Sequence, residues 1–246
     1  MNPSCPSERG GVLVWILIAV ALFAALSFAM MRDGGTGSAA RTMSDAQARL
    51  HAAEIVSYGN QIREAVRRLR IRGVSDDDLS FENDVFMRVD GIPLSSASRY
   101  PNCASSQCRV FHPQGGGIMA RYPSEGSLDY EANPANPTDW KTGSMQAIVA
   151  DMDGIGTAAF DLAWLVSYVR REVCMKINDL LGVANPDGGP PVMVESYRMF
   201  TYANANPFAG TVSGSFSGGA VVKRSSYCFR WAHHNEYAYV TTLIAR

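Results

Sequence analysis

Few residues in this chain could do chemistry, and the spacing of each group decides what it can do. Four histidines occur: His51, His112, His233 and His234. His233-His234 stand in a turn with Glu236 two residues on, but neighbouring side chains on extended backbone point to opposite faces, so the pair is poorly placed to grip one ion. Cys103, Cys108 and His112 have a loose zinc-like spacing, lack a fourth ligand and would need reduced thiols. Asp151-Met152-Asp153-Gly154 begins like a calcium loop without a third ligand in register, and Asp76-Asp77-Asp78 lacks the alternating carboxylates and glycine of one. Both acidic runs read as turns or a helix start. No metal and no cofactor is expected.

Nucleophiles fare no better. In Gly214-Ser215-Phe216-Ser217-Gly218, Phe216 occupies the place that a hydrolase elbow gives to serine. Gly115–Gly117, after His112-Pro113, has neither the spacing nor the lysine of a phosphate-binding loop and reads as a surface turn. Arg63, Arg67, Arg68, Arg70 and Arg72 make one helix half basic, which reads as a solvated face near anionic headgroups rather than a phosphate site. The formal net charge is −1 and the pI about 6.4, so no nucleic-acid partner is expected. No catalytic residue is assigned, and the chain is not expected to be an enzyme.

What positions these residues begins with Gly10–Met31, which carries no charge. As a helix, roughly 20 such residues span about 30 Å, one bilayer core. The run is apolar all round, so it reads as a transmembrane helix over 12–31 after a short arm or leader, 1–11. Ala21, Ala25 and Ala29 recur every fourth residue and would let another helix approach closely. A cleaved signal peptide with its small-residue site at Ser27-Phe28-Ala29 is the competing reading. Residues 32–42, with Gly34, Gly35 and Gly37, read as a flexible linker.

Residues 43–246 are expected to form a single α+β ectodomain with two long helices and an antiparallel sheet. Ser44 caps a helix that runs to about Arg72 and stops at Gly73, with Ile55, Tyr58, Ile62, Val66 and Leu69 as its apolar stripe. Met145–Asp151 reads as a buried strand. A second helix is expected over Thr157–Leu181, with Leu162, Leu165, Val169, Val173, Ile177 and Leu180 inward. Met193–Tyr202 reads as one strand. Tyr227–Trp231, the turn 233–236 and Tyr237–Leu243 read as a C-terminal hairpin. Cys103, Cys108, Cys174 and Cys228 follow the apolar run in even number, which suggests two disulfides and an oxidising compartment. A Cys103–Cys108 bridge would close a short loop and a Cys174–Cys228 bridge a long one, the latter stabilising by roughly 4–5 kcal/mol. The pairing itself stays open.

Ser7-Glu8-Arg9-Gly10-Gly11, followed at once by VLVWILIAVALFAALS, resembles the leader and helix of type IV pilin-like proteins, the pilins and pseudopilins. The resemblance covers about the first 30 residues. It implies cleavage after Gly10 or Gly11, subunits bundled through their apolar helices, and a head braced by a disulfide near its C-terminus, a part that Cys174–Cys228 could play. The family's glutamate five residues after the cut is replaced here by Trp15 or Ile16. The expected partners are therefore a lipid bilayer and other pilin-like subunits, and the expected place is the inner (cytoplasmic) membrane, with the C-terminal domain periplasmic or extracellular. A membrane-tethered enzyme or binding protein with its site in the ectodomain loops is the alternative, and a secreted soluble protein a third.

Overall fold

A computed structural model describes residues 14–23, 43–86, 100–124, 126–129, 145–150, 152, 154–157, 159–193, 200–201, 221–232 and 236–246. The chain divides into two units, residues 1–42 and 43–246. In the first, residues 14–23 are helical and every one is exposed. Ten residues rise about 15 Å, half a bilayer core. Among the described residues no helix is long and apolar enough to cross a membrane. The rest of the apolar run, with Gly10, Gly11, Ala25 and Ala29, lies outside them.

In the second unit, Ser44 opens helix α1 (Asp45–Ile71) with a reciprocal cap: its hydroxyl accepts from Gln47 N–H, and its own N–H donates to the Gln47 side chain. The predicted stripe is buried throughout, Ile55 to Leu69. The helix closes at Arg72, and Gly73 takes the φ of +90° expected of a stop glycine. Mid-helix Gly59 has a different reason. A Cβ there would stand 2.9 Å from the Tyr239 hydroxyl oxygen and 3.1 Å from Thr241 Cγ2, so the missing side chain lets the helix settle onto the sheet.

That sheet has six strands: β1 (Met145–Ala150), β2 (Asp161–Val166), β3 (Val192–Met193), β4 (Phe200–Thr201), β5 (Ser226–Trp231) and β6 (Tyr237–Ile244), in the order β3-β5-β6-β2-β1-β4. The hairpin β5–β6 forms as expected, with Cys228 opposite Tyr239. Alternation then sorts side chains by face. Leu162, Trp164, Val166, Cys228 and Tyr239 join the core beneath the helices. Ala163, Leu165, Tyr227, Phe229 and Val240 build a second apolar cluster. The architecture is mixed α+β.

Three expectations need correction. The long helix over Thr157–Leu181 is instead strand β2, a corner, and a short helix α2 (Arg171–Leu181). Leu162 and Leu165 lie on opposite faces of β2, and Leu180 is 53% exposed. β2 lies at the sheet's centre and is buried on both faces, so its sequence carries no alternation to betray it. Tyr168, at φ +59°, ends any helical continuation. The sheet is also not wholly antiparallel, because β3 runs parallel to β5. Finally, Met193–Tyr202 is not one strand: β3 and β4 lie at opposite edges of the sheet.

Gly59→Ala gains roughly 1 kcal/mol of helix propensity, against an overpacking cost of about 1–3 kcal/mol where Tyr239 and Thr241 must move. Denaturant unfolding should show a less stable protein. A clear gain in stability would mean that α1 is not seated this closely.

Candidate functional site

Helix α2 is fastened to strand β5 at one residue, Cys228. Cys174 is bonded to it with Cα atoms 5.3 Å apart, and both are fully buried. One turn on, the buried Asn178 side chain acts as a short stretch of partner strand: its Oδ1 accepts from Cys228 N–H at 2.8 Å and its Nδ2 donates to Cys228 C=O at 2.9 Å. Farther along the same strand, Arg230 N–H donates to Pro191 C=O. The second bond, Cys103–Cys108, spans five residues and braces the turn Ser106–Cys108. Its two cysteines are 8% and 7% exposed.

On the other side of α1, a strap (residues 117–124) is held by a cluster that the sequence does not advertise. Ser124 Oγ donates to Glu54, and His51 Nδ1 lies 2.9 Å from the same oxygen. With the serine proton given to Glu54, the imidazole is the donor, so the order of groups is not that of a nucleophile activated by a base. Arg121 pairs with Glu54 at 3.3 Å and covers the Tyr58 ring at 5.0 Å. Tyr58 donates its hydroxyl to Met119 C=O and accepts from Arg121 N–H, and burial pushes its pKa up. Tyr122 of the strap packs on Phe86, and Phe81, Phe86, Phe111 and Trp164 stack beneath it, with centroids 5.4–6.3 Å apart. These contacts clasp a loop to a helix.

Of the arginine row, Arg67, Arg68, Arg70 and Arg72 are exposed, as a solvated face requires, and Arg63, Arg68, Arg70 and Arg72 also reach specific partners. Arg63 reaches across to β5 and β6, donating to Thr242 C=O at 2.8 Å and to the Ser226 and Thr241 hydroxyls. Arg68 donates to Gly116 C=O and Arg72 to the Gln114 and Gly115 carbonyls, while Arg70 pairs with Asp76 at 2.7 Å. Gly115 and Gly116 are buried rather than exposed in a surface turn, because a Cβ at either would strike the backbone of Arg109 or Val110. Their N–H groups bond to His112 and Arg109 carbonyls, which leaves them closed to phosphate. At the start of α1, Lys176 bridges Asp45 at 2.6 Å and Asp179 at 3.3 Å. That hydrogen bond lowers the Asp45 pKa and raises that of Lys176.

Cys103 and Cys108 are bonded to each other, which removes them as thiolate ligands beside His112. His112 Nδ1 instead accepts from Gln114 N–H. Among the described residues no group of three His, Cys, Asp or Glu could hold a metal ion. His233, His234, Asp151, Asp153 and Gly214–Gly218 lie outside them. Ala21 is helical and exposed. An open groove of about 640 Å³ runs between Glu82–Val85 and Gly117–Ala120 over Arg109 and Phe111. No protein-family profile, curated protein or solved structure matches the chain.

One carboxyl stands apart in its titration. Glu236, just before β6, is driven up to about 7 by burial, against hydrogen bonds from the Ser167 hydroxyl and Tyr168 N–H that pull it down. The fold thus binds a proton that the unfolded chain releases above about 4.5, and stability falls as pH rises from about 5 to about 8. Glu236→Gln should flatten that slope and be the more stable form at about pH 8, by roughly 1–3 kcal/mol. Urea titrations across this range check it, and parallel slopes for both proteins would contradict it.

Proposed function

We propose that the chain is a single-pass, membrane-anchored envelope protein and a pilin-like or pseudopilin-like structural or assembly subunit, with its α+β head beyond the cytoplasmic face of the inner membrane. The observation that carries this reading is the apolar segment. Gly10–Met31 has no charge, and its described part is helical with Trp15 73% and Phe23 76% exposed. Hydrocarbon is the solvent that suits a helix apolar on every side. Two disulfides in the head support an oxidising compartment. Ser7-Glu8-Arg9-Gly10-Gly11 supports processing by a membrane peptidase after Gly10 or Gly11. Association then runs through the apolar helices, with Ala21, Ala25 and Ala29 as the face of close approach.

A tethered binding protein is the second reading, and the groove between Glu82–Val85 and Gly117–Ala120 favours it, since ligand sites are concave and part apolar. In that case the purified protein is a monomer that takes a ligand there.

N-terminal sequencing and intact mass of the native protein decide the matter. The expected mature N-terminus is Gly11 or Val12, on a chain that resists extraction from membranes. An N-terminus near Met30 would make it a secreted protein and overturn the anchor. An unprocessed Met1 would remove the pilin-like leader.

A further inference from the structure

We infer that the Cys174–Cys228 bond is made by exchange with an external disulfide oxidant before α2 seats on β5, and that the folded head is closed to further exchange there while Cys103–Cys108 stays open to it. The inference rests on the placement of the four head cysteines and on how each pair is covered.

Exchange needs a thiolate to approach a sulfur in line, so that three sulfurs meet in one transition state. Cys174 and Cys228 have no exposed surface. Cys174 lies between Val173 and Ile177 on the buried side of α2, in the core that also holds Tyr239. Asn178 takes both backbone groups of Cys228, so the strand cannot turn its sulfur outward without breaking two buried hydrogen bonds. No third sulfur reaches this pair while α2 is docked. Cys103 and Cys108 are also buried but less completely, at 8% and 7% exposed against 0%, and the turn between them exposes Ala104, Ser105 and Gln107.

The chemistry is two successive exchanges. One head thiolate attacks the oxidant's disulfide, forming a mixed disulfide and releasing one oxidant thiolate. The second head thiolate then attacks its own partner's sulfur, closing the intrachain bond and releasing the other. Two electrons and two protons pass to the oxidant, which leaves as a dithiol.

Chain order sets the sequence of events. Cys103 and Cys108 are five residues apart, and the next cysteine, Cys174, is more than ten times as far from Cys108. Ring closure therefore favours the short pair by roughly 50-fold. Once it closes, Cys174 and Cys228 are each other's nearest remaining partners, 54 residues apart. Each bond joins neighbours along the chain, so no reshuffling is needed.

The test uses the full chain in detergent micelles, with alkylation and peptide mass mapping as the readout. Native protein is challenged with dithiothreitol, and reduced, denatured protein is refolded with oxidised glutathione. In the native challenge, alkylation at Cys103 and Cys108 should precede that at Cys174 and Cys228 by at least 100-fold in rate, and denaturant should abolish the gap. In refolding, Cys103–Cys108 should close first, and Cys174–Cys228 before the head gains its native resistance to protease. The variant C103S/C108S keeps the inner bond measurable should reduction of the outer one loosen the head. Equal rates for the two pairs in the native chain, or oxidation of Cys174 and Cys228 after the reduced head has become protease-resistant, would overturn the inference.

Discussion

The head depends on one contact, the buried stripe of α1 against the central strands. Ile55, Tyr58, Ile62, Val66 and Leu69 sit in the same cluster as Leu162, Trp164, Val166 and Tyr239. A 27-residue helix can bury that much apolar side chain only if it lies close along its length, and Gly59 is where the closest approach falls. Arg63 then fixes the angle by reaching over the edge of the contact to three oxygens of β5 and β6. Burial of the stripe supplies the drive, at about 1.5–3 kcal/mol for each large side chain, and the guanidinium supplies direction.

Other described elements attach to this pair of layers. α2 lies beside α1 and is tied to its first turn through Lys176 and to β5 through Cys174 and Asn178. The glycine-rich loop is drawn to the far end of α1 by Arg68 and Arg72, and the strap crosses its near half through Glu54 and Tyr58. Polar side chains here hold irregular backbone in place, since loops leave carbonyls and N–H groups that no ladder satisfies.

Local signals were legible in the sequence. Ser44 and Gly73 bound α1 because a cap and a stop glycine act within a turn of their own position. The hairpin shows itself through alternation, and the four head cysteines through number and setting. Long-range signals were not. β2 is hidden because a central strand buried on both faces spaces its leucines like a helix. The reach of Arg63, Arg68 and Arg72 is hidden because the carbonyls they bond lie 42 to 179 residues away. Asn178 and the Glu54–Ser124–His51 cluster carry no motif at all; only the fold brings those atoms together.

At the other end of the chain, the exposed apolar helix over residues 14–23 has the composition of a lipid-facing element and none of the period that made α1 recognisable as half-buried. Trp15, Leu17 and Phe23 are all largely exposed there. The most direct measurement is alkaline carbonate extraction of cell membranes followed by mapping of free thiols. The chain should stay with the lipid pellet, with Cys103, Cys108, Cys174 and Cys228 all blocked to alkylation. Release into the supernatant with those four thiols free would contradict the account at its centre.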